Sequence, residues 1–212
     1  MTTPGPVARA AELAALAHQT PLTDADRAQV RVGLTDTDER VRGAALGALV
    51  RGGPSPVALV AWRSSIGDDA SSVRRRAAEL APVLADPSCI DDLVATLDDD
   101  DVTVVEAAAW ALGELGDATR ARPDAVALLA TTATEHRDAL AREAAVAALG
   151  ALGDEAGRAA ILRATDDKVP VRRRAVLALA SFEGPDVDAA LSRALTDKDW
   201  QVRQAAEDLT QP

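Results

Sequence analysis

Histidine, cysteine and clustered carboxylates are the side chains of this sequence that could do chemistry, and the first two are scarce. The 212 residues include two His (His18 and His136) and one Cys (Cys89), against 34 Asp and Glu. A zinc site needs several nitrogen or sulfur ligands converging on one point, and two separated His with a single Cys do not supply them. No glycine-rich phosphate loop is present, since Gly67-Asp68-Asp69 belongs to a recurring turn. Asp98 to Asp101 form an acidic run able to attract a divalent cation. Acids at a helix start are more simply read as a solvated cap, and that is the expectation here. Cys89 excludes an intrachain disulfide, suits a reducing compartment, and reads as a small, partly buried filler. No catalytic residue, metal site or cofactor is therefore expected, and the chain reads as non-enzymatic.

The recurring turn belongs to a longer unit. Residues 34–49 run from a Leu-x-Asp step through Val41-Arg42 into an Ala-rich helix. Variants return at Ile66 to Leu80, Leu97 to Leu112, Ala164 to Leu179 and Leu195 to Leu209, with a degenerate copy at Thr134 to Leu149. Anchored on Val41, Val73, Val104, Ala141, Val171 and Val202, the copies step by 32, 31, 37, 30 and 31 residues. Such a period signals stacked helix pairs. Four residues after the anchor every copy has Ala (Ala45, Ala77, Ala108, Ala145, Ala175, Ala206), which suits close helix approach. One residue after it stand Arg42, Arg74, Arg142, Arg172 and Arg203, with Val105 the exception. Five residues before it stand Asp36, Asp68, Asp99, Asp166 and Asp197, with His136 the exception. The Asp column is read as helix caps and the Arg column as reaching a neighbouring Asp, together a structural ladder.

The Leu-Thr-Asp-x-Asp-x-x-Val-Arg turn followed by Ala-x-x-Ala-Leu-Gly resembles the HEAT-like repeats of the phycobilisome-lyase type, over roughly Asp24 to Leu209. The resemblance implies antiparallel helix pairs in a right-handed superhelix, in proteins that mostly bind other proteins. It extends to bilin lyases and, more remotely, to deoxyhypusine hydroxylases and HEAT-like alkylpurine DNA glycosylases. The hydroxylases hold iron with repeated His-Glu pairs, which this chain lacks. A glycosylase would need a basic concave face with Asp and Trp in register, and the overall acidity opposes it. The triplets Arg74-Arg75-Arg76 and Arg172-Arg173-Arg174 are the only counterweight.

The expected fold is an all-α, right-handed α-solenoid of about six HEAT-like helix pairs behind an N-terminal capping helix. Residues 1–20 form a tail and the cap, with its helix at Val7 to His18 ended by Pro21. Residues 21–212 form the solenoid. First helices are expected near Asp24–Leu34, Pro56–Ile66, Ser88–Leu97, Pro123–Thr134, Asp154–Ala164 and Pro185–Leu195. Second helices are expected near Glu39–Arg51, Ser71–Ala85, Val102–Leu115, Asp138–Leu152, Pro170–Phe182 and Trp200–Thr210. Gly52, Gly116, Gly153 and Gly184 should close helices in a left-handed conformation. Pro82 should kink or shorten its helix. The inserted residues 117–122 make either a longer loop or a bent joint near 117–123.

With no chemistry in view, a surface remains. Positions two and six after each anchor lie opposite the core stripe and would line the concave groove. They supply Arg75, Glu79, Glu106, Trp110, Glu143, Arg173 and Leu177 as candidate partner-binding residues, with Trp110 the central anchor. Trp110 could instead simply pack over Gly113 or Ala147, while Trp62 and Trp200 read as packing residues. The net charge of −11 and pI near 4.6 argue against nucleic-acid or anionic-membrane partners. A monomeric, cytoplasmic, bacterial protein-interaction scaffold, binding an unknown protein or peptide, is the expectation. The competing class is an enzyme or enzyme-accessory subunit of the bilin-lyase-like or deoxyhypusine-hydroxylase-like families.

Overall fold

The computed structural model describes residues 4–19, 21–53 and 55–210. Among them are fourteen α-helices, two 3-10 turns and no strand. The chain divides between Asp92 and Leu93 into two compact units. The first holds α1 (Pro6–Leu16), α2 (Asp24–Gly33), α3 (Glu39–Arg51), α4 (Pro56–Ile66), α5 (Ser71–Leu84) and a 3-10 turn at Pro87–Cys89. Helix α6 (Ile90–Thr96) spans the division. The second unit continues with α7 (Val102–Glu114), α8 (Asp117–Arg120), α9 (Pro123–Glu135), α10 (Ala139–Leu152), α11 (Glu155–Ala164) and α12 (Val169–Ala178). A 3-10 turn at Leu179–Ser181, α13 (Pro185–Ala194) and α14 (Trp200–Thr210) complete it. No helix of the described residues is long and apolar enough to cross a membrane.

The helices of the pairs α2/α3, α4/α5, α9/α10, α11/α12 and α13/α14 pack on each other across short connections, and within each unit a second helix packs on the second helix of the next pair. In the first unit α1 packs on α3 and α3 on α5; in the second α7 packs on α10, α10 on α12 and α12 on α14. Small residues make these crossings possible. All six Ala four residues after the anchors have 0% exposure. At Gly150 a Cβ would lie 2.6 Å from the Ala178 Cβ, so α10 and α12 meet backbone against side chain. Few large groups complete this core of Ala, Val and Leu, chiefly Trp62 in the first unit.

The inserted residues form neither a plain loop nor a bare joint. They make the single turn α8, whose buried Thr119 hydroxyl donates to Leu112 O at 2.7 Å, tying it to the end of α7. Pro82 does not stop α5, which runs two residues further before Ala85 takes a left-handed φ of 51°. Gly116, Gly153 and Gly184 do have positive φ, but Gly52 stays right-handed and Gly53 takes the positive φ instead. The cap helix ends at Leu16, short of Pro21.

The ladder has a definite grammar. Each Arg one residue past the anchor turns Nη1 to a carbonyl of its own lead-in loop: Arg42 to Asp36 O (2.9 Å), Arg74 to Asp68 O (2.9 Å), Arg142 to His136 O (2.7 Å), Arg172 to Asp167 O (2.9 Å) and Arg203 to Asp197 O (2.7 Å). In Arg42, Arg142 and Arg172 the other edge of the guanidinium grips a carboxylate in the next pair's loop. Arg42 holds Asp68 at 2.7 and 2.8 Å, Arg142 holds Asp167 at 2.6 and 2.7 Å, and Arg172 holds Asp197 at 2.9 and 3.1 Å. Such bidentate, partly buried pairs fix loop against loop. The same carboxylates accept from a loop N–H one or two residues on, as Asp68 does from Ala70 N.

Two expectations need correction. The Asp column is not the helix cap; the residue two further on is, with Asp38, Asp101, Asp138 and Asp199 accepting from the N–H two residues beyond. And Asp166 stands exposed while Asp167 forms the rung. The cause is a turn one residue shorter: Asp167 follows Arg142 by 25 residues, as Asp197 follows Arg172, but precedes its anchor by four instead of five. In the copies with an Asp cap, the cap's donor comes from the residue before the anchor, which here is Pro170, with no N–H to give. Lys168 takes the cap position without a cap bond, and the carboxylate role moves one residue along.

The sequence pattern also hides a rung. Arg9, on α1, holds Asp36 at 2.9 and 3.1 Å and sends Nη1 to Pro4 O at 2.8 Å, the same grammar. Helix α1 thus takes the place of a second helix, packed on α3 as the other second helices pack on one another. The two exceptions in the columns fall on matching places: Val105, where the Arg is missing, precedes the pair whose loop has His136 instead of Asp. Donor and acceptor are absent together, and neither is left as an unpaired charge. Val105 is fully buried, and the His136 Nδ1 accepts from Asp138 N at 3.1 Å.

The rungs set an acid limit to stability. The guanidiniums of Arg9, Arg142 and Arg172 hold Asp36, Asp167 and Asp197 below the usual carboxylate range. At Asp68 burial pushes upward, but Arg42 and the Ala70 N–H outweigh it. A carboxylate with a depressed folded-state pKa contributes stability that is full above its unfolded value, about 4, and is lost as the pH falls through the folded value. Unfolding midpoints should therefore be flat from neutral down to about pH 5 and decline below about pH 4. Asp167→Ala should cost about 0.5–2 kcal/mol in urea unfolding, whereas Asp166→Ala should stay within about 0.5 kcal/mol of wild type. Equal effects at the two positions would show that the rung assignment is wrong.

Candidate functional site

The second helices that stack on one another leave their outer positions uncovered, and in the second unit these frame a hollow of about 340 Å³. Its floor is Gly113, Ala144, Ala147, Ala148 and Ala151. These residues are small because α7 and α10 cross closely there: a Cβ at Gly113 would sit 3.1 Å from the Ala148 Cα. Trp110 stands on the rim at 46% exposure, a large apolar ring left out of the core. Glu106, Glu114 and Glu143 surround it, with Arg174 reaching across from α12 to within 3.6 Å of Glu143. Three carboxylates against one guanidinium make the hollow acidic.

Of the groove candidates, Glu106, Trp110 and Glu143 come together here. Gly113 and Ala147, offered as alternative packing partners for Trp110, are in the same floor, so the ring lies beside small residues and still presents nearly half its surface. Arg173 and Leu177 belong to a separate hollow of about 90 Å³ with Trp200, Gln204 and Asp208. Arg75 and Glu79 lie on α5 in the first unit, 3.5 Å apart as an ion pair. The column pattern misses Arg174, whose only signal is its place in an Arg triplet. It also misjudges Trp200, which is 64% exposed and does not pack into the core. Trp62 does: it is 0% exposed, and its indole N–H donates to Ala77 O at 2.6 Å.

The chemistry-bearing residues remain apart. Cys89 is fully buried rather than partly so, and burial pushes its thiol up to about 12, leaving no accessible thiolate. Within the acidic run Asp101 caps α7 and Asp99 accepts from Asp101 N. Among the described residues no cluster of His, Cys, Asp and Glu has the arrangement of a metal site.

Comparison with known proteins bears on the fold. The model of the HEAT repeats matches residues 61–150 and 126–209. No curated protein matches in sequence. Among solved structures, the complex of CpcE and CpcF of phycocyanin lyase from Nostoc sp. PCC7120 is similar at 23% identity with a TM-score of 0.61, over 89% of this chain and 76% of that one. YibA of E. coli is similar at 19% identity and TM-score 0.63, over 97% and 74%. A designed armadillo repeat protein in complex with the peptide (KR)4 is similar at 18% identity and TM-score 0.61, over 85% and 96%. At these identities the likeness is one of solenoid fold. Taken with the repeating Arg–Asp rungs and the buried Ala column, the match over residues 61–209 places the chain in the family of HEAT repeat proteins.

Proposed function

We propose that the chain is a non-catalytic interaction scaffold whose hollow on α7, α10 and α12 takes an extended, neutral-to-basic segment of a protein partner. The observation that carries this reading is Trp110, 46% exposed on the rim of an acidic hollow floored by Gly and Ala. An aromatic side chain that the core does not need, ringed by charge, is the usual form of an interface anchor. The small floor leaves room for a side chain, and Glu106, Glu114 and Glu143 favour Lys or Arg over acidic groups. The fold is compatible with such a ligand, since a designed armadillo repeat protein of similar fold holds (KR)4.

The test is a calorimetric titration with short Lys/Arg-containing, neutral and acidic peptides, each run on wild type and variants. Basic peptides should bind best and lose affinity as salt rises. Trp110→Ala should weaken binding by about 2 kcal/mol, some thirtyfold. Leu128→Ala, which removes a comparably exposed apolar group (44%) from α9, should not. Full-strength binding by Trp110→Ala, or no binding by any peptide at millimolar concentration, would remove the reading. A bilin-handling accessory role would instead appear as a change in tetrapyrrole absorbance on mixing, and none is expected.

A further inference from the structure

The first unit carries a cluster of basic side chains on α3 and α5, apart from the residues around Trp110. On α3, Gly43 and Gly47 leave a strip of helix without side chains. The stem of Arg76 lies over it, its Cγ 3.8 Å from where a Cβ of Gly43 would be. A Cβ at Gly47 would meet Arg76 Nη2 at 3.1 Å and Arg51 Nη1 at 3.6 Å, so these two nitrogens are no further apart than the sum, about 6.7 Å. Arg75 is the next residue on α5. Arg75 and Arg76 share the single carboxylate of Glu79, at 3.5 and 3.2 Å. Arg51 has no ion pair among the described residues and is exposed. Three guanidiniums thus face one carboxylate in a chain whose net charge is −11.

Like charges do not converge without cost, and a second anion between Arg51 and Arg76 would relieve it. Guanidiniums prefer planar, bidentate partners, and carboxylate and phosphate oxygens meet that geometry. The missing side chain at Gly47 lets the Arg76 guanidinium lie against α3, which brings it close enough to Arg51 for one oxyanion to meet both. Elsewhere in this molecule Arg forks that face an acid hold it in this bidentate manner, as Arg42 holds Asp68.

We infer that Arg51, Arg76 and Arg75, over the Gly43–Gly47 strip, form a binding site for an oxyanion carried on a peptide segment, either an acidic side chain or a phosphorylated one. The full chain is titrated with a peptide of consecutive Glu residues, with the same peptide carrying phosphoserine, and with inorganic phosphate. Arg51→Gln and Arg76→Gln should each weaken the better peptide about tenfold, the loss expected for one charge-assisted hydrogen-bonding partner. Gly47→Leu, which keeps the charges but pushes the Arg76 guanidinium off α3, should do the same. Arg31→Gln on exposed α2, an equal charge change, and Trp110→Ala should leave binding unchanged, which separates this site from the acidic hollow. Preference for the Glu or for the phosphoserine peptide decides the source of the oxyanion, and either supports the site. Equal losses in Arg31→Gln, no peptide binding, inorganic phosphate binding as tightly as the peptides, or a single-stranded oligonucleotide competing at the same residues would each overturn it.

Discussion

Trp62→Ala should destabilise the first unit by about 3–5 kcal/mol, the largest effect expected of any single truncation in this chain. The indole is 0% exposed between α4 and α5, in a core otherwise built from Ala, Val and Leu. Those neighbours are too short to swing into the space it leaves, so a cavity persists and adds to the lost transfer free energy. The Ala77 carbonyl also loses its 2.6 Å donor. Trp62→Phe separates the two contributions: it keeps most of the volume and should cost about 0.5–1.5 kcal/mol for the hydrogen bond it removes. Because repeat stacks distribute stability between neighbours, unfolding by urea should split, with the first unit melting earlier while helices of the second persist. A loss below about 1 kcal/mol for Trp62→Ala would mean that α4 is only loosely held against α5.

The helix pairs are legible in the sequence because their signals are local and repeated. Period, Ala column and turn residues recur, and Glu39–Arg51, Pro56–Ile66 and Trp200–Thr210 have the ends expected from sequence. What fails is register within the turns. Asp166 and Asp167 are adjacent carboxylates, and a turn one residue shorter ahead of Val171 decides which meets Arg142. That dependence is visible in principle, since the step into this copy is 30 residues where the ordinary steps are 31 or 32. Arg9 is legible too: it lies 33 residues before Arg42, one repeat step, but α1 lacks the Leu-x-Asp turn that makes the other copies stand out.

The site is less legible, for a different reason. Column arithmetic predicts which side a residue is on, not which neighbours it meets. It places Glu106, Trp110 and Glu143 on one surface, and they do line one hollow. It does not foresee that Arg174, one position further round the helix, is the group that reaches Glu143. Nor does it show that Trp200, at the first turn of α14, stays out of the core. Long side chains at helix margins go where their tips find partners, and a one-dimensional pattern does not record the tips.

The sharpest check on that geometry compares two alanines of α10 with different roles. Ala145→Leu should cost about 1–3 kcal/mol or more, because its methyl is 0% exposed among helices that already touch, and an isobutyl group forces them apart. The cost should not be recoverable by rotamer choice, since a Cβ at nearby Gly150 would already lie 2.6 Å from the Ala178 Cβ, which leaves α10 no slack toward α12. Ala147→Leu, by contrast, points its new atoms into the hollow beside Trp110 and should stay within about 0.5 kcal/mol of wild type. The same substitution should fill the floor and weaken the basic peptide while the Arg51–Arg76 site of the first unit keeps its affinity for the acidic one. Urea unfolding and the peptide titrations on one pair of variants therefore test fold and function separately. Equal stability losses at the two alanines would mean that the outer face of α10 is rotated into the core and that Trp110 has no hollow to anchor. A stable Ala147→Leu that binds basic peptide as well as wild type would leave the fold standing and move the binding surface elsewhere.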